Sequence, residues 1–233
     1  VHSAARENYG ALKTWQALRD AGEQCGLHRV ERLRRKYAIE AKRMRLFRAS
    51  NSGRNSESSA DNILDRNFKV RLPDRVWVGD ITFISTRKGV LFLATIIDLY
   101  SRKVVGWSMS DKQNRYLVKD ALMMAIESRK PKPGLIHHTD QGIQYTSRDY
   151  QAILKAYGMV PSMSRKGNCH DNAVAESFFS HLKNEVIYHE DLTDRDHARS
   201  VIFDYIEVFY NQQRLHQTLG YKTPNEYEMM NVA

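Results

Sequence analysis

The run from Val90 to Ile97 is apolar at every position but Thr95 and rich in branched residues. It is too short to cross a bilayer as a helix, and it reads as a strand covered on both faces. A chain holding such a strand has to lay helices on each side of a sheet. Ahead of it, Val76, Val78, Asp80, Thr82 and Ile84 alternate with Trp77, Gly79, Ile81 and Phe83, a period-two strand with an acid at its middle. Arg87-Lys88-Gly89 makes a turn between the two, and Lys103 to Met109 supplies a third strand. Strand, turn, strand, turn, strand predicts an antiparallel meander.

Past the meander, Arg115 to Ser128 has helical spacing, with Leu117, Ala121, Met124 and Ala125 inward and Pro131 and Pro133 closing it. The strand Leu135 to Thr139 follows. A strand reached through a helix pairs most easily in parallel. With the first strand as its neighbour, Asp80 and Asp140 sit on strands about 4.8 Å apart. The strand stops at Asp140, just before Gly142, and the carboxyl ends of strands are where open α/β sheets collect ligands. A helix at Ser147 to Ala156 and a short strand at Met159 to Ser162 lead to the cationic Arg165-Lys166-Gly167-Asn168. A long helix from Asp171 to Tyr188 then presents Phe178, Phe179, Leu182 and Val186 as its core stripe. At about 100° per residue, Glu176 falls at the edge of that stripe, with Ser180 and Lys183 on its own face. A last helix, Arg195 to Gln212, buries Ala198, Ile202, Ile206 and Phe209, and a turn-rich tail runs from Arg214 to Pro224.

The N-terminal part differs in kind. Ala11 to Ala21 and His28 to Tyr37 read as two short helices joined by a turn holding Gly22 and Gly26. Leu12, Trp15 and Leu18 face inward on the first, Val30, Leu33 and Tyr37 on the second. Arg29, Arg32, Arg35 and Lys36 remain for solvent or phosphate, a helix-turn-helix pattern whose second helix is basic. Residues 1–50 hold 12 Lys and Arg against 5 Asp and Glu, a charge of +7 within a total of +9. The excess favours a polyanionic partner, nucleic acid first and an acidic membrane surface second, although a solvated helix face gives the same count. The basic residues continue through Arg43, Arg45 and Arg48, after which Ser50 to Ser59 is small, polar and without period. The expected division is a basic helix-turn-helix region at 1–49, a linker at 50–67, and an α/β core with C-terminal helices at 68–233.

Cys25 and Cys169 stand far apart without metal-ligand spacing, which predicts neither a disulfide nor a zinc site and suits a reducing cytoplasm. No apolar run is long enough for a membrane span, and the first residues lack a signal-peptide apolar region.

Three carboxylates brought together repel one another: at an effective dielectric near 20 and about 4 Å, each pair costs roughly 4 kcal/mol. Such a group persists if its acids are protonated or if divalent cations neutralise them. Oxygen ligands with no Cys or His among them suit Mg2+ or Mn2+ rather than zinc. Two such ions about 4 Å apart activate an attacking oxygen and stabilise the leaving oxygen of a phosphodiester in line. In a basic chain, Asp80, Asp140 and Glu176 therefore point to phosphoryl transfer on nucleic acid. With 27 acids in the chain, surface carboxylates and a capping Asp answer the same pattern.

The residues around the three acids are more specific. Asp80 lies in Trp77-Val78-Gly79-Asp80-Ile81-Thr82, and Asp140 in His137-His138-Thr139-Asp140-Gln141-Gly142-Ile143-Gln144-Tyr145. Glu176 lies in Gly167-Asn168-Cys169-His170-Asp171-Asn172-Ala173-Val174-Ala175-Glu176-Ser177, with 35 residues (141–175) between it and Asp140. Ile97-Asp98-Leu99-Tyr100-Ser101-Arg102 adds to these, as does Tyr210-Asn211-Gln212-Gln213-Arg214-Leu215-His216 with Leu219-Gly220-Tyr221 and Thr223-Pro224. Over almost its whole length the chain resembles the DDE transposases of bacterial insertion sequences, in the group with a retroviral-integrase-like catalytic core. The resemblance implies an RNase H-like mixed five-stranded sheet with flanking helices, preceded by a small all-α helix-turn-helix domain. It implies Asp80, Asp140 and Glu176 as catalytic and metal-binding residues for two Mg2+ ions, with Mn2+ able to substitute. It also implies cleavage of DNA at element ends and then strand transfer. Water would be the first nucleophile and a freed 3′-hydroxyl the second, with no covalent protein–DNA intermediate. The implied partners are double-stranded DNA (terminal repeats and target), further copies of the chain on that DNA, and an upstream DNA-binding frame product of the kind often fused by frameshift. The implied location is the bacterial cytoplasm, at the nucleoid. Ile143 stands where Ser is more usual and His170 where Tyr is; neither belongs to the acid trio, so both departures bear on DNA contacts at most.

DNA contacts are expected from Arg29, Arg32, Arg35, Lys36, Arg165, Lys166, Asn168, Asn172, Lys183 and Arg214. Lys183, two turns beyond Glu176, should face the acids, and the two asparagines answer equally as helix caps. His137, His138, Trp77 and Trp107 are expected in packing roles, and Asp98 as a structural acid paired with Arg102. Two rival functions share these features. One is a structure-specific nuclease of the same fold that cuts without joining; the other is an inactive DNA-binding regulator, which the intact trio argues against.

Overall fold

The computed structural model describes residues 1–42, 60–165 and 169–230. Positions 50–59 of the linker, the basic Arg43, Arg45 and Arg48, and Lys166 and Asn168 lie outside the described residues, as does the side chain of Cys169.

The meander forms as its patterning dictates. Strands β1 (Val76–Thr86), β2 (Gly89–Asp98) and β3 (Val104–Ser110) pair antiparallel in sequence order. Helix α3 (Arg115–Arg129) carries the chain back so that β4 (Ile136–Thr139) joins β1 in parallel, and α4 (Arg148–Ala156) does the same for β5 (Val160–Met163). The sheet order is β3-β2-β1-β4-β5, with β1 at its centre. Pro161 is tolerated in β5 because that strand is an edge. The β1–β4 register pairs Val76 with Ile136 and Val78 with His138, so carried two residues further it sets Asp80 level with Asp140.

Each face of the sheet is covered. Trp77, Ala94 and Ile96 pack against α3 and α4 on one side. Val76, Val78, Leu91 and Leu93 pack against α5 (Ala173–Glu185) and α6 (Arg195–Phe203) on the other. Asp80 shares the even-numbered face of β1 with Val76 and Val78, and so looks toward α5. Helix α3 lies directly on β3 because Gly106 has no side chain: a Cβ there would meet the Ala121 carbonyl at 2.3 Å.

Several local details depart from the sequence pattern. The long helix expected from Asp171 begins as a 3-10 turn (Cys169–Asn172), becomes α5, and ends in a second 3-10 turn at Ile187–His189. The last helix widens into a π-helix over Asp204–Tyr210, which turns Tyr205, Ile206, Phe209 and Tyr210 all into the core. A seventh helix, α7 (Pro224–Met229), follows the tail turn. Its start was written in the sequence as Thr223-Pro224 with Glu226, which close a capping box. On α3 the inward residues include Val118 and Leu122, whereas Met124 is exposed.

At the N-terminus, α1 (Ala11–Asp20) and α2 (Leu27–Lys36) form the expected hairpin. Leu12, Leu33 and Tyr37, expected inward, are exposed, because two short helices offer each other little to cover a second face. Only Thr14 and Val30 of the two helices are buried. Residues 60–67, counted with the linker, already run along the core: Leu64 is buried, and the Ile63 and Leu64 N–H groups donate to Ser162 Oγ. Among the described residues, no helix is long and apolar enough to cross a membrane.

Candidate active site

Three elements converge on the acids. Asp80 sits mid-strand on β1, where its Oδ1 accepts the neighbouring Ile81 N–H at 2.8 Å. Asp140 follows β4, and its Oδ1 accepts the Gly142 N–H at 2.9 Å. A Cβ on Gly142 would stand 2.9 Å from that same oxygen, so glycine lets the loop wrap the carboxylate. Glu176 lies in the first turn of α5.

Electrostatics ties the three together. The Asp80 carboxyl is held well above its usual range, first by burial and then by the charge of Asp140. The Ile81 N–H opposes this, Glu176 raises it further, and Lys183 pulls it down. Asp140 is an exposed residue, yet desolvation around its carboxyl raises it too, against the hydrogen bond from Gly142. Among the described residues, no three His, Cys, Asp or Glu side chains form a ready-made ion-holding group; what links the acids is the charge of Asp140 and Glu176 acting on Asp80. Their donor set is nonetheless carboxylate oxygen throughout, and both aspartates stay raised even with the Lys183 charge acting on Asp80. A hard divalent cation fits such a set.

Lys183 faces the acids as the helical spacing implies. It is buried, its Nζ lies 5.1 Å above the Phe83 ring, and it feels the Asp80 charge. Asn172 neither caps α5 with its side chain nor meets solvent. It is buried, and its amide donates to the Gly79 carbonyl at 3.3 Å, tying the start of α5 to the residue before Asp80. Arg165 is exposed, with its guanidinium on Asp65 at 2.6 Å and Asp171 at 3.1 Å. Asp171 is a residue that sequence reasoning passed over as a helix start. It is fully buried and accepts from Asn62, Arg66 and Arg165, so it fastens the incoming chain to the turn ahead of Glu176.

Arg214 is a correction. Expected among the DNA contacts, it is 2% exposed and forks onto Glu185, with Nη2 to Oε1 at 2.6 Å and Nε to Oε2 at 2.9 Å. Its charge is matched inside the protein and does not reach a DNA surface. Arg29, Arg32, Arg35 and Lys36, by contrast, are exposed on α2.

Asp98 is structural, but its partners are the backbone N–H groups of Asp74, Tyr100 and Ser101 at 2.7, 2.8 and 3.0 Å. The Arg102 guanidinium goes to the Phe68 carbonyl instead. The packing roles hold elsewhere. His137 meets Tyr150 at 2.7 Å, His138 meets Ser162 and Ser164, Trp77 is buried, and Trp107 donates to Glu207 at 2.7 Å.

Comparison with known proteins extends this picture. Residues 70–169 and 157–224 match two family models, each described as an integrase core domain, and residues 1–47 match an HTH-like domain. The chain is 42% identical to the uncharacterized 31 kDa protein of insertion element IS600 from Shigella sonnei, over 96% of this chain and 82% of that one. It is also 42% identical to the transposase for insertion sequence element IS904 from Lactococcus lactis, over 96% and 88% of the two chains. Transposase InsF for insertion sequence IS3A from Escherichia coli K12 is 40% identical over 98% of this chain and 80% of its own length. Among solved structures, a chain of the simian T-cell lymphotropic virus intasome in complex with PP2A regulatory subunit B56 gamma superposes with a TM-score of 0.56 at 17% identity, covering 69% of this chain and 56% of that one. The HTLV-2 integrase catalytic core in complex with magnesium gives 0.51 at 20% identity, covering 67% and 97%. At such identities these two speak for the shared sheet and flanking helices.

Proposed function

The chain belongs to the integrase-core transposases of bacterial insertion sequences, and on that premise we propose that Asp80, Asp140 and Glu176 are its catalytic carboxylates. The activity is polynucleotidyl transfer: DNA is cleaved at element ends and the freed strand is joined to a target. The observation that carries the choice of residues is the rise of the Asp80 carboxyl under burial and the joint charge of Asp140 and Glu176. Other buried acids among the described residues have their partners in the fold. Asp98 and Asp171 are saturated by N–H donors, and Glu185 is matched by Arg214.

The three acids would hold divalent ions, two Mg2+ in our reading, with Mn2+ able to substitute. Bound there, they supply activation of the attacking oxygen and neutralisation of the leaving one. The magnesium in the HTLV-2 integrase core is consistent with this choice of metal. The chain's own residues orient the site. The Gly142 N–H holds the Asp140 carboxylate in place, and the Asn172 amide keeps β1 and α5 in step. Lys183 offers its ammonium beside Asp80, where a DNA phosphate would enter. The exposed Arg29, Arg32, Arg35 and Lys36 bind backbone phosphate, joined by the exposed Arg165 and, from the sequence pattern, by Lys166 and Asn168. We take 1–49 as the DNA-binding region and let the core begin near Ala60. DNA ends, target DNA, further copies of the chain and an upstream frame product are its partners at the nucleoid. Nothing in the family comparison favours a nuclease that cuts without joining or an inactive regulator.

The test is an end-joining assay with the full chain, Mg2+ or Mn2+, and labelled DNA carrying the terminal repeats of the element that encodes it. Nicked and joined products are expected, and both should vanish in Asp80→Asn, Asp140→Asn and Glu176→Gln. Joining by the Glu176→Gln protein at the wild-type rate would overturn the assignment. Cutting without joining would move the protein to the nuclease reading.

A further inference from the structure

The segment from Asn211 to His216, part of the motif behind the family resemblance, turns toward the N-terminal region. Tyr9 is 4% exposed; its hydroxyl accepts the Leu215 N–H at 2.7 Å and donates to the Gln213 carbonyl at 3.1 Å. Ala5, Tyr9, Ala17 and Leu215 form an apolar cluster of their own. Arg6 pairs with Asp204 and lies 4.8 Å over the Phe209 ring. Lys42, beyond α2, donates to the Glu185 carbonyl at 3.4 Å, and its backbone N–H reaches Glu7 at 3.0 Å. Chain on both sides of the helical hairpin is therefore fastened to one patch of the core. That patch is stiff. Arg214 forks onto Glu185 behind it, and Glu185 closes the helix whose first turn bears Glu176.

We propose that this patch is an intramolecular seat for the helix-turn-helix-like region, with Tyr9 as its positioning residue, and that the seat sets which phosphodiester of a bound DNA end reaches the acids. This rests on the assignment above of α2 to DNA and of Asp80, Asp140 and Glu176 to the chemistry. The physical need is one of register. Successive phosphates on one strand advance only about 3.4 Å along the duplex axis, so a tilt of a few ångströms in the DNA-binding region moves the cut by one bond. The hairpin buries only Thr14 and Val30 within its own helices and needs an outside contact to fix its direction. A tyrosine whose hydroxyl is bonded at both ends supplies a directional one.

The experiment uses the full chain, with Tyr9→Phe, and with Arg6→Asp alone and combined with Asp204→Arg. On labelled end DNA, both single variants should bind as wild type does. The share of cleavage at the wild-type bond should fall about tenfold as neighbouring bonds are cut. Asp204→Arg should restore the single cut in the Arg6→Asp background. Without DNA or metal, amide exchange at Leu215 should quicken roughly fivefold or more in Tyr9→Phe, as a hydrogen bond is removed. A wild-type protein that cuts no end DNA would sink the catalytic reading, and Leu215 exchange would then decide the seat alone. Unchanged exchange, or a rate loss with the cut position intact, would overturn the seat.

Discussion

Helix α5 bears an acid toward each end, and the surroundings of the two treat charge in opposite ways. At the first turn, Glu176 adds to the repulsion on Asp80, whose carboxyl is driven up. At the last turn, Glu185 receives the Arg214 fork and the Tyr205 hydroxyl. Its carboxyl falls below the usual value, because the guanidinium outweighs the opposing effect of burial. Each carboxyl feels a buried cation, Asp80 that of Lys183 and Glu185 that of Arg214. Arg214 forks onto both oxygens of one carboxylate, whereas Lys183 acts on Asp80 through its charge. A closed pair of this kind builds structure, since breaking it strands a charge away from water. Several carboxylates acting on one neighbour, as Asp140 and Glu176 act on Asp80, leave room for an added cation.

The sharpest way to break that contrast is Asp80→Asn. Strand transfer should fall roughly 10³-fold or more, while the thermal midpoint rises because a like charge is removed. A calorimetric scan showing a fall instead would make Asp80 a structural acid like Glu185. At the closed end, Arg214→Ala should cost about 3–5 kcal/mol in urea unfolding, because Glu185 is left buried and unmatched. The double change Arg214→Met with Glu185→Leu should recover most of that loss. If the single variant is nearly neutral, the pair is no anchor.

Stability against pH probes the closed interior next. Burial pushes His137 down to about 3, aided by the neighbouring His138. Burial also lowers His138 to about 4, against the pull of Asp171, and His216 to about 2, with Arg214 adding. The folded state thus binds fewer protons than the unfolded one. The stability these histidines contribute is complete above their ordinary value of 6.5 and is lost as pH falls below it. The slope should approach about 1.4 kcal/mol per pH unit for each histidine. Glu185, with its lowered carboxyl, adds a loss only below its ordinary 4.5. Urea midpoints that stay flat from pH 7 to pH 5 would contradict neutral buried imidazoles.

The smallest effect concerns outward cations. Replacing Arg29, Arg32, Arg35 or Lys36 by Ala should lower the slope of log affinity against log salt by about 0.9 for each phosphate no longer neutralised. The Arg214→Met, Glu185→Leu protein should keep the full slope. A drop in that protein as well would return Arg214 to the DNA surface.

Much of this organisation is legible in the chain. The alternation through β1 and the all-apolar β2 required a covered meander, and Pro131 and Pro133 ended α3 where the parallel β4 could begin. The acids at mid-strand, strand end and helix were visible as types in places. Other features were not. Leu33 and Tyr37 have inward spacing yet are exposed, because periodicity names a face without saying whether anything lies against it. The π-helix at Asp204–Tyr210 follows from four large side chains competing for one core, which no local window contains.

Local order, in short, came from the sequence: which segments are strands or helices, where they stop, and that three acids stand at positions suited to chemistry. The fate of each charge came from the tertiary structure. Arg214 and Arg29 are the same residue type, yet one closes on an acid 29 positions away and the other faces water. Coulomb energy depends on distance and burial after folding, and neither quantity is carried by spacing along the chain.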